Sequence, residues 1–202
     1  MVTEPLVIDD IEDLRTYERG RDAYRRQIIE LKRRRRVAVG PFVTLVFENR
    51  ETVRFQVQEM ARAERMVTDE QVQGELDIYN ALLPTPGELS ATMFIELTDE
   101  ASLRKWLPKL VGVERSVELR IGGGAGGDAD VAPALPEASH EQALTRPTMT
   151  ASVHYVRFAL TPDQADRVAG GPVVLAVVHP EYRHQTTLGP ETRRELASDL
   201  GA

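Results

Sequence analysis

The sequence predicts an α+β fold in which an N-terminal helical module packs on a ferredoxin-like antiparallel sheet. The prediction depends on an internal echo: residues 94–101 and 157–165 share a pattern in which a strand ends in Leu-Thr and a helix starts at once. Another strand pattern follows each copy, at residues 116–121 and 173–178. The order is therefore β-α-β twice, which is the ferredoxin-like order. A different α+β arrangement of the same elements is the alternative.

The chain divides by composition into two parts, which we expect to form one compact unit. Residues 1–86 contain the helical module with one β element, and residues 87–202 contain the two β-α-β units. Between these units, residues 122–149 are rich in Gly, Ala, Pro and acidic residues and poor in large apolar ones. Because such a segment cannot bury a core, we expect a mobile loop or a partly disordered insertion. Its run Gly122–Gly127 lacks the Lys and Ser or Thr of a phosphate-binding loop.

The helical module begins with a long amphipathic helix, expected from about residue 8 or 9 to about Arg35. Arg21 occupies one place in its apolar stripe, where it either extends its charge to water or meets a buried carboxylate. The basic run Lys32–Arg36 suits the C-terminal turn of this helix, where cations complement the helix dipole, although a phosphate contact is the alternative. The apolar members of the stripe are Leu14, Tyr17, Tyr24, Ile28 and Leu31.

A short β element and two more helices complete the module. Residues 37–47 have the pattern of one strand, or of two short strands bent at Gly40. The next helices are expected over about 51–67 and 69–83. After the internal echo, we expect an edge strand at residues 186–188 and a last helix over about 189–200.

Composition excludes several classes of protein. No apolar run approaches the roughly 18 residues of a membrane-spanning helix, and the acidic residues 1–13 lack the features of a secretory signal. The absence of cysteine excludes disulfides and thiolate catalysis and is typical of a cytoplasmic protein. The net charge of −7 argues against general nucleic-acid binding.

The polar cluster Glu48, Asn49 and Arg50 stands directly after the apolar strand pattern. Glutamate can act as a base or a metal ligand, and arginine can bind a carboxylate or phosphate. Gln56 and Glu59, about one helical turn apart on the next predicted helix, could face the same spot. The structural alternative is that Asn49 caps that helix and that Arg50 forms an ion pair.

The histidines concentrate near the C-terminal end of the chain. His154 begins a predicted strand, and His179 ends the most hydrophobic strand, followed closely by Tyr182 and His184. Residues at the end of a buried strand are held firmly and can still reach solvent. These three histidines, with a carboxylate, are therefore candidate ligands for iron, zinc or manganese. The alternative is that each is a hydrogen-bonded core or surface residue.

Three stretches of the chain carry a resemblance to a known family. They are the run from Lys32 to Glu64 with its Gly40-Pro41 and Phe47-Glu48-Asn49-Arg50, the motif His179-Pro180-x-Tyr182, and Leu196 with Asp199-Leu200. In them the chain resembles a bacterial family of similar length that is known as a domain of unknown function. The family has no assigned activity. Its genes often stand beside those of rubrerythrin-like di-iron proteins and iron–sulfur oxidoreductases, so the resemblance implies, by association, a role near peroxide or iron handling.

The predicted function is that of a cytoplasmic accessory protein that binds a metal, a small ligand or a redox partner, namely a di-iron or iron–sulfur protein. One alternative is a metal-dependent enzyme with Glu48 or Glu59 as base and His179 as ligand. Another is a structural protein that forms a homodimer through its long N-terminal helix. The candidate ligand-binding residues are Glu48, Asn49, Arg50, Gln56, Glu59 and Tyr182.

Overall fold

The computed structural model describes residues 4–122, 129–137 and 148–201. Within these ranges, no helix combines the length and the apolar character needed to cross a membrane. The helices are α1 (Leu14–Arg35), α2 (Arg50–Ala63), α3 (Asp69–Tyr79), α4 (Glu100–Trp106), α5 (Pro162–Gly170) and α6 (Pro190–Leu200). The strands are β1 (Arg36–Val39), β2 (Val43–Glu48), β3 (Glu88–Ile95), β4 (Val117–Ile121), β5 (Asp130–Pro136), β6 (Val153–Ala159), β7 (Val173–His179) and β8 (Tyr182–Thr187).

The eight strands form one antiparallel sheet in the order β1-β2-β3-β6-β5-β4-β7-β8. The sheet curls until its two edge strands meet. The Tyr182 hydroxyl in β8 donates a hydrogen bond to the carbonyl of Val39 at 2.7 Å, and Thr186 Oγ1 donates to the carbonyl of Ala38 at 2.7 Å. Side chains therefore close the seam between β8 and β1, and the sheet becomes a nearly closed barrel with helices on its flanks.

The prediction of a ferredoxin-like sheet is wrong. The two strands of a β-α-β unit run parallel. In the structure, β3 and β4 are separated by β6 and β5 in an antiparallel sheet and so run in opposite directions, as do β6 and β7. Neither copy of the echo is therefore a parallel crossover unit. The strand that changes the topology is β5, which pairs with both β4 and β6.

The sequence pattern does not predict β5, because the strand lies inside the segment expected to be a mobile loop. Ala132 and Ala134 point into the barrel and are buried, while Val131 and Leu135 are exposed on its outer face. This alternation is that of a strand, although Pro133 argues against one. Two other parts of the predicted loop, residues 123–128 and 138–147, lie outside the described residues.

Apolar side chains fill the interior of the barrel. Alternate residues of each strand point inwards, and Val43, Leu45 and Phe47 of β2 are all fully buried. The Phe47 ring packs against that of Phe158 across the interior, with ring centres 6.1 Å apart. The barrel is therefore a packed core, which leaves the outer face and the helices for binding.

The helical module covers one side of this barrel. The apolar stripe of α1 faces α2, and Tyr17 and Ile28 within it are buried. The apolar stripe of α1, through which the sequence predicts a homodimer as one alternative, thus packs against α2 of the same chain. A second, smaller core lies between α2, α3 and the N-terminal segment, and its buried members are Leu6, Val53, Val57, Leu76, Leu82 and Leu83.

The predicted basic run closes α1, as expected, but its charges are paired within the chain. Arg34 Nε lies 2.6 Å from the Glu195 carboxylate of α6. The Arg35 side chain is fully buried, donates to the carbonyl of Phe47 at 2.9 Å, and forms an ion pair with Asp199 of α6. These contacts fasten the C-terminal helix to the end of α1.

Candidate functional site

The carboxylate of Glu48 lies at the end of β2, beneath α2, and is only 2% exposed. Thr92 Oγ1 of β3 donates to it at 2.6 Å, and Gln56 Nε2 of α2 donates at 3.1 Å. Thr52 Oγ1, in the first turn of α2, donates to its other oxygen. A buried carboxylate is costly unless hydrogen bonds replace its water. These three donors replace that water and tie β2, β3 and α2 together.

The structure therefore brings Glu48 and Gln56 together, but in a buried hydrogen-bond cluster. Tyr155 of β6 borders the same region. Burial raises the pKa of its hydroxyl, and the charge of Glu48 raises it further. Since Glu48 is enclosed and accepts three hydrogen bonds from the fold, its geometry is that of a structural anchor for α2.

Asn49 and Arg50 have the contacts expected from the structural alternative. Asn49 is the N-cap of α2, and its Oδ1 accepts a hydrogen bond from the backbone N–H of Thr52 at 3.0 Å. The Arg50 guanidinium lies 2.6 Å from the Asp10 carboxylate and also donates to the carbonyl of Glu4 at 3.2 Å. Arg50 thus holds the N-terminal segment against α2.

Glu59 lies on the face of α2 that meets α1. Arg21 donates to both of its carboxylate oxygens, at 2.7 and 2.8 Å, and the Tyr17 hydroxyl donates at 2.7 Å. Arg21 does meet a carboxylate, as one of the two alternatives predicted, although the pair is half-buried. These hydrogen bonds, chiefly the one from Arg21, lower the pKa of Glu59 to about 2. Glu59 is therefore ionised and fixed at the interface between α1 and α2.

Tyr182 closes the barrel at a point where the backbone comes unusually close. Its hydroxyl accepts from the backbone N–H groups of Phe42 and Val43 at 3.3 Å, in addition to donating across the seam. The ring packs against that of His184, with centres 4.5 Å apart. Gly40, with φ of +78°, lies directly beneath, and a Cβ there would be 2.5 Å from the Tyr182 hydroxyl. The Gly-Pro break predicted from sequence is needed for this closure.

His154 and His179 lie on the inner face of the barrel. His179 uses both ring nitrogens: Nε2 lies 3.2 Å from the carbonyl of Val111, and Nδ1 accepts from the backbone N–H of Glu181. His154 Nε2 lies 2.8 Å from Thr150 Oγ1. Burial lowers the pKa of His154, and the nearby charge of Glu114 only partly offsets this effect.

The prediction of metal binding needs a correction. In the part of the chain that the structure describes, no three His, Asp or Glu side chains are grouped so that they could hold a metal ion. His154 and His179 bond to backbone and hydroxyl groups in the barrel, and His184 packs on a tyrosine ring. No shared iron, zinc or manganese site is formed by these rings.

The candidate ligand-binding residues likewise do not form one site but lie in three separate parts of the structure. Glu48 and Gln56 share one cluster, Glu59 joins Tyr17 and Arg21, and Tyr182 lies at the barrel seam. At two adjoining places, concave surfaces of the helical module are lined by other residues.

The first place is a groove of about 380 Å³ between the N-terminal segment, the end of α2 and the start of α3. We call it the apolar groove. The apolar side chain of Val67 on its rim is 80% exposed. The apolar lining residues are Ile8, Ile11, Leu14, Ala61, Met66, Val67 and Val72, and the polar ones are Glu12, Asp13, Arg15, Thr68 and Asp69.

The second place is a narrower cleft of about 150 Å³ between α1 and α2, which we call the tyrosine cleft. Tyr24 forms one wall, with its ring edge-on to Tyr17 at 6.3 Å and to Phe55 at 5.7 Å. The Arg54 guanidinium lies over the Tyr24 ring, 5.4 Å from its centre. The residues that line the cleft are Glu12, Tyr17, Gly20, Tyr24, Arg54 and Gln58.

Glu12 lines both the groove and the cleft, so the two concavities adjoin. The segment that carries it is held by Gln58, whose side-chain amide exchanges two hydrogen bonds of 2.9 Å with the Glu12 backbone. The sequence pattern predicts that Tyr17 and Tyr24 lie on a helix, but it does not predict that they form part of a binding site. The one available signal is Gly20, a helix-weakening residue within a strongly helical pattern. A glycine there leaves one wall of the cleft open, since an added Cβ would meet nothing within 4 Å.

Comparison with known proteins gives a family and a close structural neighbour. Residues 5–200 match the family model described as protein of unknown function DUF3501. A crystal structure described as a novel protein of unknown function from Burkholderia pseudomallei K96243 is similar, with a TM-score of 0.86 and 32% sequence identity. The match covers 98% of this chain and 100% of that one. Among curated proteins, none matches this sequence. The chain therefore belongs to the DUF3501 family.

Proposed function

We propose that this protein is a cytoplasmic accessory protein that binds a partner protein through the apolar groove of its helical module. The observation that carries the proposal is the groove itself, which presents a mainly apolar lining to solvent next to an almost fully exposed Val67. Large apolar side chains exposed beside an apolar concavity are typical of interaction sites. The barrel then serves as the rigid support for the module.

The groove favours an apolar segment of another protein as its occupant. Burial of one valine or leucine side chain contributes about 1.5–3 kcal/mol, so apolar contacts in the groove favour association with such a segment. The groove is also wide enough for more than one side chain, at about 380 Å³. A second copy of this chain is the competing occupant, and the experiment below separates the two.

Binding is favoured over catalysis because the candidate catalytic groups are engaged in the fold. Glu48 accepts three hydrogen bonds in a buried cluster, and Glu59 is held ionised by Arg21. A general base needs a pKa near the working pH and access to substrate. The pKa of Glu59, about 2, is far below that range.

The partner that we propose is a rubrerythrin-like di-iron protein or an iron–sulfur oxidoreductase, in peroxide or iron handling. This part of the proposal comes from the family resemblance. Since an accessory protein for such partners needs only a docking surface, the groove is compatible with the role.

The test is a titration of each purified redox protein into the ¹⁵N-labelled chain, followed by NMR. We expect saturable shifts of the amide signals of Ile11, Val67 and Val72 on the groove. Shifts confined to the outer face of β7 and β8, or none with either protein, would contradict the proposal. The same shifts on raising the concentration of the chain alone, with a rise in mass in light scattering, would assign the groove to self-association.

A further inference from the structure

The tyrosine cleft has the components of a site for an organic cation. Aromatic faces attract cations, and the attraction grows when water is excluded. The Tyr24 ring already holds one guanidinium on its face, that of Arg54 at 5.4 Å. The Tyr17 ring, which also lines the cleft, stands edge-on to it. The Phe55 ring stands edge-on to Tyr24 as well but does not line the cleft, and Lys32 lies over it, 5.8 Å from its centre.

Two carboxylates, those of Glu51 and Glu12, and one guanidinium, that of Arg54, act on the Tyr24 hydroxyl. The hydroxyl lies 3.4 Å from Glu51, which is 3.9 Å from Arg54, and the exposed Glu12 also lines the cleft. Burial raises the pKa of the Tyr24 hydroxyl to about 12, and the charges of Glu51 and Glu12 act in the same direction. Arg54 is paired with Glu51, so Glu12 is the carboxylate of the cleft lining that would meet a cationic ligand.

The dimensions of the cleft suit the head of a single side chain. Its volume of about 150 Å³ is too small for a folded element but sufficient for a guanidinium or ammonium group with its last methylenes. Because Gly20 has no side chain, the wall formed by α1 is open at this point.

We propose that the tyrosine cleft binds the cationic head of an arginine or lysine side chain, presented by the same partner segment whose apolar residue occupies the groove. The link to a partner rests on the proposed function above, whereas the preference of the cleft for cations does not. Glu12 connects the two, because it lines both concavities. The partner segment is thus expected to carry a basic residue close to an apolar one.

The preference for cations is tested on the full chain with n-butylguanidinium as probe and n-butylurea as its neutral isostere. We expect saturable NMR shifts of the Gly20 amide and the Gln58 side-chain amide with the cation and not with the urea. Glu12→Gln should weaken binding about fivefold or more, as the loss of roughly 1 kcal/mol requires. Equal responses to both probes, or no response to either, would overturn the proposal.

The location of the site is tested with Gly20→Leu, which fills the cleft from α1. Its matched control is Gly74→Leu, at the other helix-interior glycine whose added Cβ would also meet nothing within 4 Å. Gly20→Leu should abolish the response to n-butylguanidinium, and Gly74→Leu should leave it unchanged. A large side chain at position 20 could disturb the packing of α1 on α2. Glu12→Gln therefore provides an independent test, because Glu12 is exposed and its substitution should leave the melting temperature unchanged.

The two proposals fail in different ways. If n-butylguanidinium binds as expected but neither redox protein does, the proposed function fails and the cation site stands. If a redox protein binds through the groove with the same affinity to wild type, Glu12→Gln and Gly20→Leu, the partner does not use the cleft. Weaker binding of the redox protein by both cleft variants, with Gly74→Leu unaffected, supports the inference in full.

Discussion

Arg35, at the last position of α1, forms a buried ion pair with Asp199, near the end of α6. The same guanidinium donates to the carbonyl groups of Phe47 and Glu48, at the end of β2. One side chain therefore joins the first helix, the second strand and the C-terminal helix. The helical module is held to the barrel at this point, which fixes the orientation of the groove and the cleft.

Arg35→Ala should lower the free energy of unfolding by about 3–5 kcal/mol, because it leaves a largely buried carboxylate and two carbonyl groups without their donor. Urea unfolding measures the effect. The control is Arg33→Ala in the same basic run, where the side chain is 69% exposed, and its cost should be below about 0.5 kcal/mol. Similar costs for the two variants would contradict the anchoring role of Arg35.

The contact between Glu59 and Arg21 should make stability depend on pH in the acid range. The pKa of Glu59 is about 2 in the folded chain, against an ordinary value of 4.5. Between these values the unfolded chain binds the extra proton, so stability rises with pH. The contribution should be complete above about pH 4.5 and lost as the pH falls towards 2. Urea unfolding of Glu59→Gln should show a shallower loss than wild type over this range, and parallel curves would refute the assignment.

Gly40→Ala should destabilise the barrel seam. The substitution forces a Cβ onto a backbone with φ of +78° and to within 2.5 Å of the Tyr182 hydroxyl, with an expected cost of about 2–5 kcal/mol. Gly87→Ala is the matched control, because Gly87 has the same φ but its nearest contact would be 3.5 Å away. Thermal melting should show a much smaller effect there, of about 1–2 kcal/mol.

Gly20→Ala and Gly74→Ala should each raise the free energy of unfolding by about 0.5–1 kcal/mol, since alanine is the better helix former and both sites are open. Chemical denaturation measures the gain. A destabilised Gly20→Ala variant would mean that the wall of the tyrosine cleft is more tightly packed than the structure indicates.

Local elements of this fold could be predicted from the sequence because their signals are local. The break at Gly40 separates β1 from β2, and Asn49 caps α2, as one of the alternatives expected. The sheet could not be predicted in the same way. Its topology depends on β5, which has the composition of a loop because its inner residues, Ala132 and Ala134, are small and it contains prolines. Only its pairing with β4 and β6 shows that it is a strand.

The candidate site was harder to predict for a different reason. Glu48 and Glu59 have the residue types of a chemical site, but only tertiary contacts reveal that hydrogen bonds from the fold engage both. The tyrosine cleft shows the opposite case, since Tyr17 and Tyr24 occur in an ordinary helical stripe. That stripe becomes a cleft because Gly20 and the segment carrying Glu12 leave a space between α1 and α2.

Docking of a partner in the apolar groove can be tested by comparing the dissociation constants of two variants for the rubrerythrin-like or iron–sulfur protein. Val67→Glu places a charge on the rim of the apolar groove, whereas Val178→Glu places one on the outer face of β7, where the side chain is 39% exposed. We expect Val67→Glu to weaken binding about tenfold or more, as the loss of roughly 1.4 kcal/mol requires, and Val178→Glu to bind like wild type. Equal affinities for the two variants, or a loss only with Val178→Glu, would contradict docking in the groove.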